Sequence, residues 1–236
     1  MSDSILDPCT DEGCALALAG VAMMARGSGA LWLVAERALV VSDLHLGKAE
    51  RHLRRTGGFL PPYENEATLA RLEAEVAATA PDLLILLGDT FDDDACVANL
   101  DAETRGRIEA LTGGQRTIWV AGNHDPAPTG LPGQSADEVR LGPLTFRHIA
   151  EPGATGEVSG HYHPRLTITA KARRIRRKCF LADAHRVILP AFGAYTGGLD
   201  LFDAALAKLV DAKDGEAILT GERAMRAPLR RLRRAA

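Results

Sequence analysis

Residues 37–47 read Arg-Ala-Leu-Val-Val-Ser-Asp-Leu-His-Leu-Gly, and this stretch decides how the rest of the chain is read. Ala38 to Val41 form a short apolar run with no polar alternation, the signature of a strand covered on both faces. Asp43 and His45 follow where such a strand must open into a loop, the place where α/β folds gather ligand-binding groups. The pattern recurs twice. Leu83 to Leu87 (LLILL) runs into Gly88-Asp89, and Thr117 to Ala121 (TIWVA) runs into Gly122-Asn123-His124-Asp125. Further along come a lone His148 and then Gly160-His161-Tyr162-His163.

Between these strands the spacing changes to that of helices. Glu64 to Thr79 places Leu69, Leu72 and Val76 on one face among charged residues, and Pro81 stops the helix. Ala102 to Leu111 repeats the helical spacing, giving an order β-α-β-α-β. After His148 the chain turns to short runs punctuated by Gly and Pro: Glu157 to Ser159, Leu166 to Ala170, Cys179 to Ala182 and Val187 to Leu189. These predict a second, more antiparallel sheet. Ala15 to Ala25 reads as a first buried strand and Asp203 to Val210 as a final helix. No Ser/Pro-rich linker or repeat divides the 236 residues, so one domain is expected over 1–236, with a core of about 15–210 and a basic tail over 211–236.

Net charge is only -3, so bulk charge does not announce a nucleic-acid binder. Its distribution says more. Acids crowd the N-terminus and Asp89 to Asp94, whereas residues 171–178 read KARRIRRK and the chain ends PLRRLRRAA. Lys171 to Lys178 predicts a basic hairpin tip, and the arginines from Arg223 onward suit either phosphate or a frayed terminus. Lys48 and Arg51, with His52, Arg54 and Arg55, follow the first motif closely enough to line a cleft rim and touch phosphate, or form a solvated helix face. Aromatic residues make up 5% of the chain, too few for an evident stacking platform. Cys9, Cys14, Cys96 and Cys179 show neither zinc-site spacing nor a dense disulfide framework, which predicts a reduced, cytoplasmic setting. The apolar run at 15–25 is preceded by acids and is too short to span a bilayer, so no membrane role is expected.

Asp and Asn oxygens with His nitrogens suit borderline divalent ions, and the absence of thiolates argues against a closed structural zinc site. The ordered set D-x-H, G-D, G-N-H-D, H, G-H-x-H resembles that of the calcineurin-like metallophosphoesterases. The resemblance implies an α/β (α+β) fold, a four-layer α/β/β/α sandwich of two sheets flanked by helices. It also implies two divalent metal ions, with Mn2+ favoured and Zn2+ or Fe as alternatives, and hydrolysis by a metal-bound hydroxide. By the same resemblance Asp43, His45 and His163 hold one ion, Asn123, His148 and His161 the other, and Asp89 bridges. His124 is then a non-ligand histidine assisting at the leaving group, with Asp92 orienting it and keeping it protonated. Asp93 and Asp94 are read as solvated or helix-capping.

Protein phosphatases of that superfamily grip a dianionic phosphate with an arginine soon after G-D. Here that stretch is Asp92-Asp93-Asp94, which favours a singly charged diester. SDLHLGKAE, FRHIAEPG before SGHYHPR, and LPAFGAYTGGLD resemble the bacterial ligase-associated DNA-damage-response endonucleases. That narrower resemblance implies nucleic acid, DNA first, as substrate and a functional link to a DNA ligase and a helicase. Two rivals are a phosphodiesterase of cyclic nucleotides or nucleotide diesters, and a non-catalytic scaffold. The scaffold is disfavoured because every expected ligand is present.

Overall fold

The computed structural model describes residues 6–58, 63–125, 130–170 and 173–232. The chain opens with β1 (Asp7–Pro8), β2 (Cys14–Leu18), β3 (Val21–Ala25), β4 (Leu31–Leu33) and β5 (Ala38–Val41). Then come α1 (Lys48–Thr56), α2 (Glu64–Thr79), β6 (Leu83–Leu87), α3 (Asp94–Ala98), α4 (Ala102–Gly113) and β7 (Arg116–Val120). The second half holds β8 (Gln134–Ala136), β9 (Glu138–Leu141), β10 (Leu144–Arg147), β11 (Glu157–Ser159), β12 (Arg165–Ala170), β13 (Arg173–Ala182) and β14 (Arg186–Ile188). It closes with α5 (Ala204–Ala207), β15 (Glu216–Leu219), β16 (Met225–Pro228) and α6 (Leu229–Leu232).

Two mixed sheets face each other. One runs in the order β2-β3-β4-β5-β6-β7-β8, with β5, β6, β7 and β8 parallel. The other runs β1-β16-β15-β13-β14-β11-β10-β9, with β12 paired to β13. The strand period of two sorts side chains into three apolar layers. Val40, Ile85 and Ile118 point into the layer between the sheets, where Phe146, Val158, Phe180, Val187 and Ile218 meet them. Their neighbours Leu39, Leu84 and Trp119 point outward onto Leu69 and Leu72 of α2 and Ile108 and Leu111 of α4. On the far side, Leu181, Ile188 and Leu219 are covered by Leu201, Leu206, Val210, Leu229 and Leu232. The four-layer sandwich is therefore present, its second outer layer made of short helices and loops.

Several boundaries differ from the sequence reading. The run 15–25 is a hairpin, β2 against β3, turning at Ala19 and Gly20, both in the left-handed region (φ 50° and 82°). The expected helix over 203–210 shrinks to α5, started by the Asp203 side chain accepting from Ala205 N–H. The region expected to be a basic tail instead contributes β15 and β16 to the larger sheet, where β16 also pairs with β1. Three of its arginines are tied down: Arg223 to Asp11, Arg226 to Glu216 and Arg231 to Asp7; Arg233 and Arg234 lie outside the described residues. The basic run at 171–178 falls mostly within strand β13 instead of forming a hairpin tip, with 171–172 outside the described residues. Cys9 and Cys14 are disulfide-bonded, a single local bond and not a dense framework; Cys96 and Cys179 are free and buried.

Candidate metal centre

Every expected ligand sits at the carboxyl end of a strand. Asp43 and His45 follow β5, Asp89 follows β6, Asn123 follows β7, His148 follows β10, and His161 and His163 follow β11. The loops after β5 and β6 are knitted together by His45 N–H to Asp89 C=O (2.9 Å) and Asp43 N–H to Gly88 C=O (3.1 Å). Asp43, His45, Asp89, His161 and His163 all have positive φ, between 47° and 68°. Such backbone costs about 1–3 kcal/mol per residue and gathers at functional sites. Glycines make the close approaches possible. Gly88 has φ 77°, and a Cβ there would lie 2.3 Å from the His148 ring; a Cβ on Gly160 would lie 1.8 Å from Ser42 Oγ and 2.5 Å from Asp43 Oδ2.

Two sets of donor atoms result. Asp43, His45 and His163 form one, and Asp89, His148 and His161 the other. In the first, Asp43 Oδ2 is used by Ser42 Oγ–H (2.6 Å) and His161 N–H (3.0 Å). Its buried Oδ1 makes no hydrogen bond although it lies 2.9 Å from His163 Nε2. His45 Nδ1 donates to Asp92 Oδ1 (2.8 Å), so its Nε2 presents a lone pair, 3.4 Å from His163 Nε2 and 3.8 Å from Asp89 Oδ2.

The second set follows the same logic. His148 Nδ1 donates to Leu87 C=O (3.1 Å), leaving Nε2 without a hydrogen. That Nε2 nevertheless lies 3.0 Å from Asn123 Oδ1, 3.3 Å from His161 Nδ1 and 3.3 Å from Asp89 Oδ2. Lone pairs packed this closely repel unless a cation lies among them. The donor set therefore fits divalent metal ions, and Asp89 Oδ2, within 4 Å of both His45 and His148, stands between the two groups.

Electrostatics agree. In the metal-free chain, where the same ring nitrogens can take up protons instead, burial pushes Asp43 and Asp89 up, but the hydrogen bonds and charges of the surrounding histidines, when protonated, outweigh it, holding Asp43 below the ordinary range and Asp89 at about 2. Asp92 is likewise held low, with His45 and Arg51 overcoming burial. Asp125 goes the other way: burial first, then the Asp89 charge, raises it to about 7, and its Oδ2 accepts from Phe91 N–H (2.9 Å).

The structure corrects the pairing expected for Asp92. Its carboxylate holds His45 and accepts from Arg51 (2.9 Å); His124 Nδ1 donates instead to the Asp92 main-chain carbonyl (3.0 Å). The His124 main-chain N–H donates to Asp89 Oδ1 (2.9 Å), so the residue stays tied to the centre without being one of the two donor groups. Arg51 and Arg54 of α1 are occupied by Asp92 and Asp93, which corrects the reading of Arg51 as a free phosphate contact. The same pairs neutralise two of the three carboxylates in Asp92-Asp93-Asp94, so that acidic run no longer argues for a diester over a monoester. Asp93 caps α3 by accepting from Cys96 N–H, as a helix-capping residue should. Lys48 is half-buried and makes no ion pair among the described residues. Tyr162 packs edge-on against His161, a structural neighbour.

Comparison with known proteins comes to the same place. The profile of the calcineurin-like phosphoesterases matches residues 36–221. Among solved structures, the nuclease MPE of Pseudomonas putida is similar at 28% identity, covering 89% of this chain and 98% of that one, with a TM-score of 0.70. Yfce, a phosphoesterase from E. coli, matches at 15% identity over 69% of this chain and 83% of that one, with a TM-score of 0.38. No curated protein matches. Among the described residues no helix is long and apolar enough to cross a membrane.

Proposed function

This chain belongs to the calcineurin-like phosphoesterase family, and from that premise we propose that it is a two-metal phosphodiester hydrolase cutting nucleic acid, DNA first, by endonucleolytic cleavage. That it is a metal-dependent phosphoesterase follows from family and site together. The observation that carries the finer reading is the double cage of facing lone pairs with Asp89 between its halves, on a fold similar over nearly its whole length to a nuclease.

Asp43, His45 and His163 would hold one ion, and Asn123, His148 and His161 the other, with Asp89 shared. Bound there, the ions supply Lewis acidity, which brings the pKa of water from about 15.7 to about 7 and draws off charge at the phosphoryl oxygens. The oxygen and imidazole donors without thiolate suit borderline divalent ions, Zn2+ or Fe as well as Mn2+; the resemblance to the ligase-associated endonucleases favours Mn2+. The protein's own contribution is placement. Asp92 fixes the His45 tautomer so that Nε2 faces inward, and Leu87 C=O does the same for His148. His124 donates its Nδ1–H to the Asp92 carbonyl, so in the imidazolium form its Nε2–H would be the proton given to the departing oxygen, an effect worth roughly 100- to 10,000-fold.

The acids ahead of residues 15–25, and the place of that run as a hairpin in the smaller sheet, support a cytoplasmic setting; the Cys9–Cys14 bond pulls the other way. The resemblance to ligase-associated endonucleases supports a working link to a DNA ligase and a helicase. The test is metal-reconstituted chain offered supercoiled plasmid, linear single strands and nucleotide diesters in parallel. Plasmid nicking and strand cleavage are expected. Hydrolysis of cyclic nucleotides and bis-nitrophenyl phosphate with nucleic acid untouched would establish the small-diester alternative instead.

A further inference from the structure

The β12–β13 hairpin pairs Arg165 with Lys178, Thr167 with Arg176, and Thr169 with Arg174. Paired residues in an antiparallel ladder share a face, and here the contacts show which one. Arg165 donates to Thr196 C=O, Lys178 to Gly193 C=O, Arg176 to Gly198 C=O (2.6 Å), and Thr167 to Asp200 (3.2 Å), all on the segment 192–200. Arg71 of α2 reaches the same segment at Phe192 C=O, with its guanidinium 4.4 Å from the Phe192 ring centre. The intervening hairpin residues face elsewhere: Leu166 enters the core, and Arg177 donates to Thr220 C=O.

This segment is joined directly to the metal centre. Phe192 N–H donates to Ser42 C=O (2.7 Å) and Gly193 N–H to Asp43 C=O (3.0 Å), while Gly198 lies against the His163 carbonyl. Four cations thus converge on neutral carbonyls beside the ligands of one ion. Among the described residues none of Arg71, Arg165, Arg174, Arg176 or Lys178 forms an ion pair, unlike Arg51, Arg54, Arg107, Arg147, Arg223 and Arg226. Arg71 Nε and Arg165 Nε are buried with no partner at all. Burial, then the charges of Arg71 and Arg165, lowers Lys178 to about 7, only partly offset by the Asp43 charge. A polyanion would relieve that excess of positive charge.

We propose that this file of unpaired cations, Arg71, Arg165 and Lys178 at its base and Arg176 and Arg174 along the arm, seats the phosphate backbone of one nucleic-acid strand leaving the metal centre. The inference rests on the nucleic-acid reading above and adds the path. Alternate residues of a strand recur about every 7 Å, of the order of the separation of successive phosphates in an extended strand. A single file of this kind follows one strand, and it grips the backbone without base stacking, as suits a chain poor in aromatics.

The test uses the full chain, metal-free in chelator so that nothing is cut, and the anisotropy of a fluorescein-labelled single-stranded oligodeoxynucleotide at several salt concentrations, with an oligoribonucleotide of the same length as a second arm. Arg174 and Arg176 are both exposed, so Arg174→Ala/Arg176→Ala leaves the core intact. Binding should weaken on the order of tenfold at low salt, and the slope of log affinity against log salt should fall by about 1.4, from about 0.7 per phosphate contact. Arg230→Ala/Arg231→Ala on α6 removes the same charge elsewhere and should leave the slope unchanged. With Mn2+ restored, the Arg174→Ala/Arg176→Ala chain should lose oligonucleotide cleavage by at least an order of magnitude more than bis-nitrophenyl phosphate hydrolysis. If the wild-type chain binds and cuts nucleic acid but its salt slope is the same in this variant, the path is wrong and the nuclease reading stands. If the wild-type chain hydrolyses the small diester yet neither binds nor cuts either polymer, both fall together.

Discussion

Replacing Asp92 with alanine separates the arrangement seen here from the one the sequence suggests. The carboxylate holds His45 through a 2.8 Å hydrogen bond to Nδ1 and is itself held by Arg51 at 2.9 Å. Its loss frees the His45 ring to rotate and to change tautomer, and partners of this kind are typically worth 10- to 100-fold in metal affinity. That corresponds to about 1.4–2.7 kcal/mol. The buried Nδ1–H left without an acceptor adds about 1–3 kcal/mol of destabilisation. Arg51 retains Asp93 at 3.6 Å, so α1 stays docked. Asp92→Asn preserves an oxygen acceptor and should lose less. Competition of Mn2+ between the protein and a fluorescent chelator reads the effect directly. Asp92→Ala should bind Mn2+ 10- to 100-fold more weakly than wild type. Wild-type metal affinity in Asp92→Ala, combined with a displaced pH profile of turnover, would refute the reasoning and return Asp92 to His124.

Three further outcomes follow from the same geometry. His124→Ala should bind two metal equivalents as wild type does, yet lose roughly 100- to 10,000-fold in kcat on alkyl phosphodiesters and much less on nitrophenyl esters; loss of metal would make it a ligand. Gly160→Ala should abolish metal binding or folding, because its Cβ would meet Ser42 Oγ at 1.8 Å, as read by metal content and thermal unfolding; a normal metal complement would contradict this packing. In metal-free chain, Asp89 at about 2 against an ordinary 3.8 stabilises the fold by about 2 kcal/mol above pH 4, and this is lost as pH falls through about 2. Asp125, raised to about 7, acts with opposite sign: its contribution is fully present below pH 3.8 and is lost as pH rises toward 7. Urea unfolding of Asp89→Asn and Asp125→Asn chains from about pH 2 to pH 8 should remove the acid and neutral slopes respectively, and unchanged slopes would refute the assignments.

The ligand set was readable because its two requirements are local. Apolar runs such as LLILL announce covered strands, and the residue after each is delivered to the sheet's carboxyl edge whatever lies around it. The fate of Asp92 was not local in this way. Its carboxylate and carbonyl both approach a histidine, and which histidine each meets depends on where α1 brings Arg51, a contact spanning 41 residues. The hairpin at 15–25 was hidden because its turn, Ala19-Gly20, carries little polarity to interrupt an apolar run. β15, β16 and the basic half of β13 were hidden for another reason. Short or charged segments announce no strand locally, and pairing makes them strands: β15 against β13 (Leu219 with Cys179), β16 against β1 (Arg226 with Asp7) and the basic half of β13 against β12 (Lys178 with Arg165).

Diffraction at the manganese absorption edge, from crystals soaked in Mn2+, tests the account most directly. It should show two anomalous peaks per chain, one among Asp43, His45 and His163 and one among Asn123, His148 and His161, with Asp89 in contact with both. A single peak, or a pair in which Asp89 touches only one, would contradict the shared two-metal centre.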